Sequence, residues 1–354
     1  MTYREIAEKL NVSPATISHV INNKPGVSET TRETIRKQLE ELGLSHLLKK
    51  KDSVLQKKDS APEGTKVICF LVYKCTGQIL DRHPYFLLIT QILERRAAEY
   101  GYSMMIRILD KYSDPAEIIP SERTVDGMIL FATEMKDEDF AIFSKLKYPV
   151  VALDNALSHT DCNAVSINNE MGTFQAVEYL AKTGHRRIGY FRSTIDISSF
   201  FERCAGYLHG AESVGLPIRS QDIHRVGYTD EESFRDILQY LQSLDPDEGM
   251  PDAFICDDDP IAFGALRAFA QCGIRVPEDV SIIGFNNHSN CSITNPPLTS
   301  VEVHPEGFLP GSIDLLAELI RKKAEAARRS SLPVSRKIRF ATSLVIRDSV
   351  KKRG

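Results

Sequence analysis

Short apolar runs rich in β-branched residues alternate with helical stretches along most of this chain, from residue 66 onward. Continuous apolar strands separated by helices are typical of parallel sheets that are covered on both faces. The runs fall into two series, so the sequence predicts two α/β lobes, each a doubly wound parallel sheet. The predicted strands lie at residues 67–72, 104–109, 127–131 and 150–153, and then, in a second series that starts at residue 164, at 188–191, 223–226, 253–255 and 280–285.

Ligands bind such sheets at the carboxyl ends of the strands, so a cleft between two lobes brings several strand ends together. Tyr85 and Phe86 lie at a strand-to-helix junction, where they form either an aromatic stacking wall for a ligand or part of the core. Thr229, which directly follows the strand ending at Tyr228, is a third candidate for ligand contact. We expect a small-molecule site in this cleft.

The length and the composition of the chain limit the classes of protein to which it can belong. A chain of 354 residues, 42% hydrophobic and 26% charged, is expected to form two or three globular domains. No apolar run approaches the roughly 20 residues of a membrane span, and no secretory signal opens the chain, so we expect a cytosolic protein without membrane contact. Its seven cysteines are scattered and include no Cys-x-x-Cys pair, so buried free thiols are predicted, and neither disulfides nor a zinc site.

The charge is spread unevenly along the chain. Residues 1–60 hold 11 Lys and Arg against 8 Asp and Glu, whereas the whole chain has a formal net charge of -4. A basic N-terminal module beside an acidic remainder is the distribution expected if only that end contacts phosphates.

Three short helices are predicted in the N-terminal module. Thr2 and Glu5 form a capping-box pattern ahead of a helix that ends near Leu10. Ser13 and Pro14 then start a second helix, because Ser caps helices well and Pro suits the first helical position. Ser28 caps a third helix, whose apolar stripe of Ile35, Leu39 and Leu42 runs to Gly43.

Two helices joined by a tight turn and packed by a third form a helix-turn-helix, which places its second helix in the DNA major groove. Ile17 and Val20 are needed for packing, so the remaining side chains of that helix are free to contact base edges. A generic three-helix bundle is the alternative interpretation. The predicted contact positions are Pro14, Ala15, Thr16, Ser18 and His19.

Residues 6–22, IAEKLNVSPATISHVIN, together with VSETTR at 27–32 and ELG at 41–43, resemble the DNA-binding domain of the lactose-repressor (LacI/GalR) family. The resemblance implies base contacts from Pro14, Ala15 and His19. It implies phosphate or further base contacts from Thr16, Ser18 and Asn22. His19 stands where Arg is commoner and is similar to the purine-repressor branch.

The segment that follows departs from the family pattern. Family members usually carry Pro-Asn-x-x-Ala-Arg-x-Leu here, a hinge helix whose Leu wedges into the minor groove. Counted from Gly43, those positions hold His46, Leu47, Lys50, Lys51 and Ser53, so only the basic position is retained. Residues 45–64 are therefore either a solvated basic tether or a hinge that uses Val54 or Leu55 in a shifted register.

The resemblance continues through the rest of the chain and implies the fold of periplasmic sugar-binding proteins, with chain crossings between lobes near residues 165–168, 290–297 and 330–336. It also implies that the forked guanidinium donors of Arg203 contact polar groups of a small-molecule effector, with Asn286 and Asp258 beside Arg203. The motifs that carry it are HPYF at 83–86, VDGMI at 125–129, PVV at 149–151, GHRRIG at 184–189, FGAL at 263–266, VSIIGF at 280–285, PPLTSV at 296–301 and LVIRDS at 344–349.

The predicted organisation is an all-α helix-turn-helix headpiece at residues 1–44, a linker at 45–64, and an α/β domain of periplasmic-binding-protein type at 65–350. Its N-lobe is expected to comprise about 65–165 and 297–330, and its C-lobe about 166–294 and 335–350. The acidic run at residues 257–259 is interpreted as a helix start, with Asp259 as the cap before Pro260, rather than as a metal site.

The sequence contains no nucleophile elbow, phosphate-binding loop or dinucleotide fingerprint, so no catalytic residue, cofactor or metal is expected.

The leading hypothesis is a cytoplasmic repressor, nucleoid-associated when DNA-bound, that binds a palindromic operator as a homodimer. In this hypothesis a sugar or sugar derivative controls it allosterically. Two alternatives are a purine-type effector and a ligand-binding protein with weak or lost DNA binding.

Overall fold

The computed structural model describes residues 6–7, 9–10, 12–21, 27–42, 66–82, 86–244, 249–326 and 334–353. It forms two units, residues 1–61 and 62–354, which are described separately. The expectations for Thr2, Asn22, Gly43, Tyr85 and the linker at 45–64 fall outside the described residues.

The first unit, here called the headpiece, contains helical residues at 6–7 and 9, then α1 (Pro14–Ile21) and α2 (Glu29–Glu41). Ile17, Val20, Ile35 and Leu39 are buried together in its core. The second and third predicted helices are confirmed, whereas the predicted start of the first lies outside the described residues. Leu42 is 39% exposed rather than part of the apolar stripe. It follows the last residue of α2, so the helical periodicity that aligned Ile35 and Leu39 ends before it.

The second unit contains two six-stranded sheets. The first has the order β11-β5-β4-β3-β1-β2, and the second β12-β10-β9-β8-β6-β7. All described pairings are parallel except that of β10 with β12. Each sheet repeats the 2-1-3-4-5 order of doubly wound folds, which confirms the predicted fold class. The strands are β1 (Lys66–Lys74), β2 (Tyr102–Asp110), β3 (Gly127–Phe131), β4 (Val150–Leu153), β5 (Asn163–Ile167), β6 (Ile188–Ser193), β7 (Ile223–Val226), β8 (Ala253–Cys256), β9 (Ser281–Phe285), β10 (Thr299–Glu302), β11 (Lys337–Phe340) and β12 (Ser343–Val345).

Helices cover the sheets. In the first lobe α3 and α9 pack together against the strands, and in the second lobe α5 packs on α6 and α7 packs on α8. The central strands β3, β8 and β9 are buried along their whole length, as continuous apolar runs predict. The helices are α3 (Phe86–Glu99), α4 (Pro115–Ile118), α5 (Asn169–Lys182), α6 (Ser198–Ser213), α7 (Asp230–Gln242), α8 (Asp259–Gln271) and α9 (Pro305–Ala326), with short 3-10 helices at Leu80–Arg82, Asp137–Ile142, Ser220–Asp222 and Ser289–Ser292.

The chain passes between the lobes three times. The first crossing, from β5 to α5 at residue 168, lies where the sequence placed it. The other two lie later than expected, at 303–304 and 341–342 instead of 290–297 and 330–336. The reason is pairing: β10 is hydrogen-bonded beside β9 and completes the second sheet, while β11 pairs with β5 in the first.

Among the described residues no helix is long and apolar enough to cross a membrane. All seven cysteines are free; five are buried, Cys75 is half-buried and Cys272 is exposed. The expectation of buried thiols is therefore wrong for these two positions.

Helices α5 and α6 approach closely at a glycine. A Cβ on Gly206 would lie 2.2 Å from the carbonyl oxygen of Glu170, a backbone atom that cannot move aside cheaply. The glycine therefore sets the spacing between these helices, one turn along α6 from Arg203.

We expect Gly206→Ala to lower the free energy of unfolding by about 1 to 3 kcal/mol, because overpacking forces α5 and α6 apart. Gly307→Ala is the control: it also lies in a helix, but the nearest atom to its Cβ would be 3.8 Å away. That change should leave stability equal or raise it by about 0.5 to 1 kcal/mol. Urea denaturation followed by circular dichroism measures both, and equal midpoints would contradict the proposed crowding.

Candidate functional site

Two candidate surfaces, one in each unit, carry the predicted functional residues. In the headpiece, α1 starts as the sequence predicted: the Ser13 hydroxyl accepts a hydrogen bond from the Thr16 backbone N–H at 3.0 Å, and Pro14 occupies the first turn. Arg32 of α2 is buried and donates to the carbonyl oxygen of His19 at 3.2 Å. This bond fixes α2 against the end of α1.

The predicted DNA-contacting side chains differ in exposure. Pro14 is exposed, and Thr16, Ser18 and His19 are half-buried. The Thr16 hydroxyl lies 2.8 Å from that of Ser13, so it is engaged in the helix cap. Ala15 lies on the same helix.

A cavity of about 770 Å³ lies between the two lobes of the second unit. That volume is in the range of small-molecule sites. Residues that follow the carboxyl ends of strands line it, as doubly wound sheets predict. Thr133 follows β3, Asp154 follows β4, Asp258 follows β8 and Asn286 follows β9. Of the predicted effector contacts, Arg203, Asp258 and Asn286 are brought together here.

Arg203 of α6 is buried, and three groups of its guanidinium are engaged by the protein. Its Nε donates to Asn169 Oδ1 at 3.0 Å, Nη1 to the backbone carbonyl oxygen of Asp257, and Nη2 to Asn286 Oδ1 at 3.4 Å. The guanidinium carbon lies 3.7 Å from the centre of the Phe285 ring. Arg203 is therefore a buried residue of the cavity wall and not a surface residue of its helix.

Asp258 connects three elements at the cavity wall. It accepts a hydrogen bond from Asn286 Nδ2 at 2.7 Å and from the Tyr228 hydroxyl at 3.1 Å, and it lies 3.9 Å from His288 Nε2. It also caps α8, by accepting from the Asp259 backbone N–H at 2.8 Å. The sequence predicts the cap at Asp259, which is wrong by one residue, because Pro260 is tolerated at either of the first two helical positions.

The other two carboxylates of the 257–259 run support the surrounding loops. Burial raises the pKa of Asp257 to about 7, although Tyr190 and the Ser193 backbone N–H both donate to it. Burial likewise raises the pKa of Asp259 to about 6. The Asp259 carboxylate accepts hydrogen bonds from the His288 backbone N–H and the Ser300 hydroxyl, each at 2.7 Å. No cluster suited to a metal ion occurs among the described residues.

Asp154 lines the cavity and was not predicted as a site residue. Its Oδ2 accepts from the Thr133 hydroxyl at 2.7 Å, and its backbone is in the left-handed region with φ 66. Burial raises its pKa to about 6, and Arg203 partly opposes that shift. Its place directly after the apolar run at 150–153 is the signal that identifies it in retrospect.

Phe86 and Thr229 are not among the described residues that line the cavity. The Phe86 ring stacks on Phe70 at 6.2 Å between centroids and packs against the core, which favours the core alternative. Thr229 caps α7: its hydroxyl accepts from the Glu232 backbone N–H at 3.2 Å, and the Glu232 carboxylate accepts from the Thr229 N–H. Strand-end position alone does not distinguish a cap from a ligand contact.

Glu134 is buried and holds the loop that follows β1. Its Oε2 accepts from the backbone N–H groups of Thr76 and Gly77 at 2.8 and 2.9 Å, and its Oε1 accepts from those of Ile79 and Leu80 at 3.0 and 3.3 Å. Four N–H donors on one carboxylate fix this loop firmly to the first lobe. Sequence reasoning missed it, because the bonded residues lie more than 50 positions apart.

The same loop contacts the second lobe. Ile79 is buried in one apolar cluster with Ile197, Phe200 and Tyr228, which we call the interlobe cluster. All four side chains line the cavity. The loop is therefore bound by hydrogen bonds to one lobe and by apolar contact to the other.

Two family models match the chain. Residues 2–57 match bacterial regulatory proteins of the lacI family, and residues 177–350 match the periplasmic binding protein-like domain.

Similar proteins cover the full length. An HTH-type transcriptional repressor PurR from Mannheimia succiniciproducens is 26% identical over an alignment of 358 positions that covers 99% of this chain and 99% of the relative. One of the same name from Escherichia coli is 27% identical over 330 residues, 92% of each chain.

Solved structures share the fold. A regulatory protein of the LacI family from Chloroflexus aggregans has a TM-score of 0.68 at 26% identity and covers 81% of this chain and 99% of its own. The lac repressor dimer bound to operator and the anti-inducer ONPF has a TM-score of 0.67 at 23% identity, and the complex of the transcriptional regulator CelR with cellobiose 0.66 at 24%. Each of these two covers 99% of both chains.

We expect Glu134→Gln to loosen the loop after β1, because the amide nitrogen cannot accept the N–H bonds that one carboxylate oxygen now accepts. Each lost charge-assisted bond is worth about 1.5 to 3 kcal/mol, so amide hydrogen exchange at residues 76–80 should accelerate by roughly 10-fold or more. Glu138→Gln, an exposed position in the same lobe, is the control. Unchanged exchange at residues 76–80 in the Glu134 variant would show that the carboxylate does not hold the loop.

Proposed function

The chain belongs to the lacI family of bacterial regulatory proteins, and from that premise we propose a repressor that binds a palindromic operator as a homodimer. Members of this family are transcriptional regulators rather than enzymes. In our proposal a small molecule bound between the two lobes changes the affinity for the operator.

One observation supports this proposal most: a single chain combines a capped helix of the recognition type with a lobed domain whose cleft contains the buried Arg203. One recognition helix reads only a few base pairs, so two headpieces on a palindrome are needed for useful affinity and specificity. Operator DNA and a second copy of the chain are therefore the proposed macromolecular partners. We place the repressor in the cytoplasm, associated with the nucleoid when it is bound to DNA.

The proposed effector is a small carbohydrate, and a purine-type molecule is the second candidate. The carbohydrate is supported by the cellobiose complex of the similar regulator CelR, and the purine by the relatives named PurR. The cavity is lined by polar groups, among them Arg203 and Asp258, and by apolar side chains, a combination that suits the ring of either class.

In our proposal, effector binding in the cleft is coupled to operator binding through the relative position of the two lobes. Effector that binds Arg203 and Asn286 from one lobe and Asp154 from the other favours one relative position of the lobes. Effector and operator then alter each other's affinity reciprocally, typically by about 1 to 3 kcal/mol.

The competing candidate, a ligand-binding protein without DNA affinity, is motivated by the divergent residues 46–53.

Selection of binding sites from randomised duplexes at low salt tests operator binding directly. We expect a palindromic consensus, and an affinity that falls steeply as salt rises because phosphate contacts release counterions. Failure to enrich any sequence, with and without added sugars and purines, would favour the ligand-binding protein.

His19→Ala should relax base preference at one position of each operator half-site and cost about 1 to 3 kcal/mol on the preferred sequence. Thr34→Ala, on the exposed side of α2, is the control and should leave the preference unchanged. Competition binding with operators mutated at single positions gives both results. A loss that is equal on all sequences would instead identify His19 as a phosphate contact.

Arg203→Lys should weaken effector binding by roughly 10- to 100-fold, because an ammonium cannot reproduce the forked donors of guanidinium. Operator affinity without effector should stay close to that of the wild type. Arg219→Lys, an exposed position in the same lobe, is the control. Calorimetry with the identified effector decides, and unchanged affinity in the Arg203 variant would exclude it as a ligand contact.

A further inference from the structure

Arg203 is bound by the side-chain oxygens of two amides, and each of these amides contacts a carboxylate. The Nε of Arg203 donates to Asn169 Oδ1 at 3.0 Å, and its Nη2 donates to Asn286 Oδ1 at 3.4 Å. Asn169 Nδ2 donates to Glu202 Oε2 at 3.0 Å, and Asn286 Nδ2 donates to Asp258 Oδ1 at 2.7 Å. The shorter of the two bonds from Arg203 therefore involves an amide beside Glu202, which is not among the described residues that line the cavity.

The carboxylate of Glu202 determines which way the Asn169 amide faces. An ionised carboxylate only accepts hydrogen bonds, so it receives the NH2 group of Asn169, and the amide oxygen is then turned toward Arg203. If the amide were reversed, two oxygens would face each other at one end and two donors at the other. Asn169 is buried, so bulk water relieves neither pair, and the reversed orientation is strongly disfavoured.

The other oxygen of Glu202 is bound from the opposite lobe. Glu202 belongs to α6 of the second lobe, and its Oε1 accepts a hydrogen bond from Arg339 Nη2 at 3.0 Å. Arg339 lies in β11, which pairs with β5 in the first sheet. Both side chains are partly exposed, so this ion pair contributes little to overall stability. Its effect is to fix one oxygen of Glu202 and to leave the other for Asn169.

Four side chains thus form a continuous chain of hydrogen bonds from one lobe to the other, which we call the interlobe relay. It consists of the Arg339 guanidinium, the Glu202 carboxylate, the Asn169 amide and the Arg203 guanidinium. Both ends are groups that only donate, so every contact has one donor and one acceptor only if a carboxylate and an amide stand between them. A change of polarity at one position of the relay therefore reverses its neighbour.

We propose that Glu202 is a positioning residue for Arg203, and that Arg339 links this positioning to the arrangement of the lobes. The inference deepens the proposed function, because it rests on Arg203 being the effector contact. A change in the relative position of the lobes that separates Arg339 from Glu202 frees the carboxylate to rotate, and the amide of Asn169 with it. The donors that Arg203 presents to a ligand then depend on the relative position of the lobes.

Glu202→Gln tests the relay in the full chain, without ligand or DNA. Arg339 still requires an oxygen at position 202, so the new amide turns its NH2 group toward Asn169. The Asn169 amide then reverses, and Arg203 Nε faces a donor instead of an acceptor. We expect hydrogen exchange of the Arg203 Nε–H, measured by NMR after selective 15N labelling of arginine, to accelerate by roughly 10-fold or more. The signal is assigned by its loss in Arg203→Lys.

Two second changes restore the polarity of the relay. Adding Asn169→Asp to Glu202→Gln places a carboxylate where it accepts from both neighbours, so the exchange rate should return close to that of the wild type. Adding Arg339→Gln to Glu202→Gln removes the requirement for an oxygen that faces the first lobe, so part of the protection should be recovered. Glu212→Gln, an exposed position of α6, is the control and should leave the exchange rate unchanged.

Three outcomes would contradict the proposal. Unchanged exchange in Glu202→Gln, or an acceleration that Asn169→Asp does not reverse, would overturn the positioning role. Equal rates in Glu202→Gln with and without Arg339→Gln would overturn the link to the first lobe. Acceleration that extends to the backbone amides of α5 and α6 would identify Glu202 as a structural residue only. No effector or operator is present, so these outcomes are independent of the Arg203→Lys titration that tests the proposed function.

Discussion

The buried guanidinium of Arg203 is the interaction on which the organisation of the cleft depends. A buried cation without a carboxylate in contact needs acceptors on every side, and it finds them at the start of α5, after β8 and after β9. The Phe285 ring covers its face. Three separate segments of the second lobe are thereby held in register, and Gly206 permits the close helix approach that brings Arg203 to Asn169. Contacts within the protein therefore hold this wall of the cavity together.

Patterns local in sequence predicted most of the fold. Alternating apolar runs predicted both parallel sheets, because buried parallel strands are apolar along their whole length. Ser13 and Pro14 predicted the start of α1, because cap chemistry is determined within three residues. Family resemblance, rather than periodicity, brought Arg203, Asp258 and Asn286 to one site, since nothing in their spacing indicates that they meet.

The remaining features depend on contacts between distant residues. The lobe to which β10 belongs is decided by its pairing with β9 and β12. The boundary between the lobes that the order of motifs predicts therefore lies earlier in the chain than the observed one. Thr229 occupies a strand end and nevertheless caps a helix, because its hydroxyl accepts a hydrogen bond from the Glu232 backbone N–H. Glu134 exerts its effect on a loop over 50 residues away in the sequence.

The three crossings between the lobes constrain how the domain can move. Two bodies joined by one segment can rotate about any axis, whereas β5 and β11 lie side by side at one end of the crossings and β10 and β12 at the other. A row of adjacent connections resists twisting and sliding, and it leaves bending about a single axis as the soft degree of freedom. A molecule that filled the proposed site in the cleft would therefore change chiefly one angle between the two lobes.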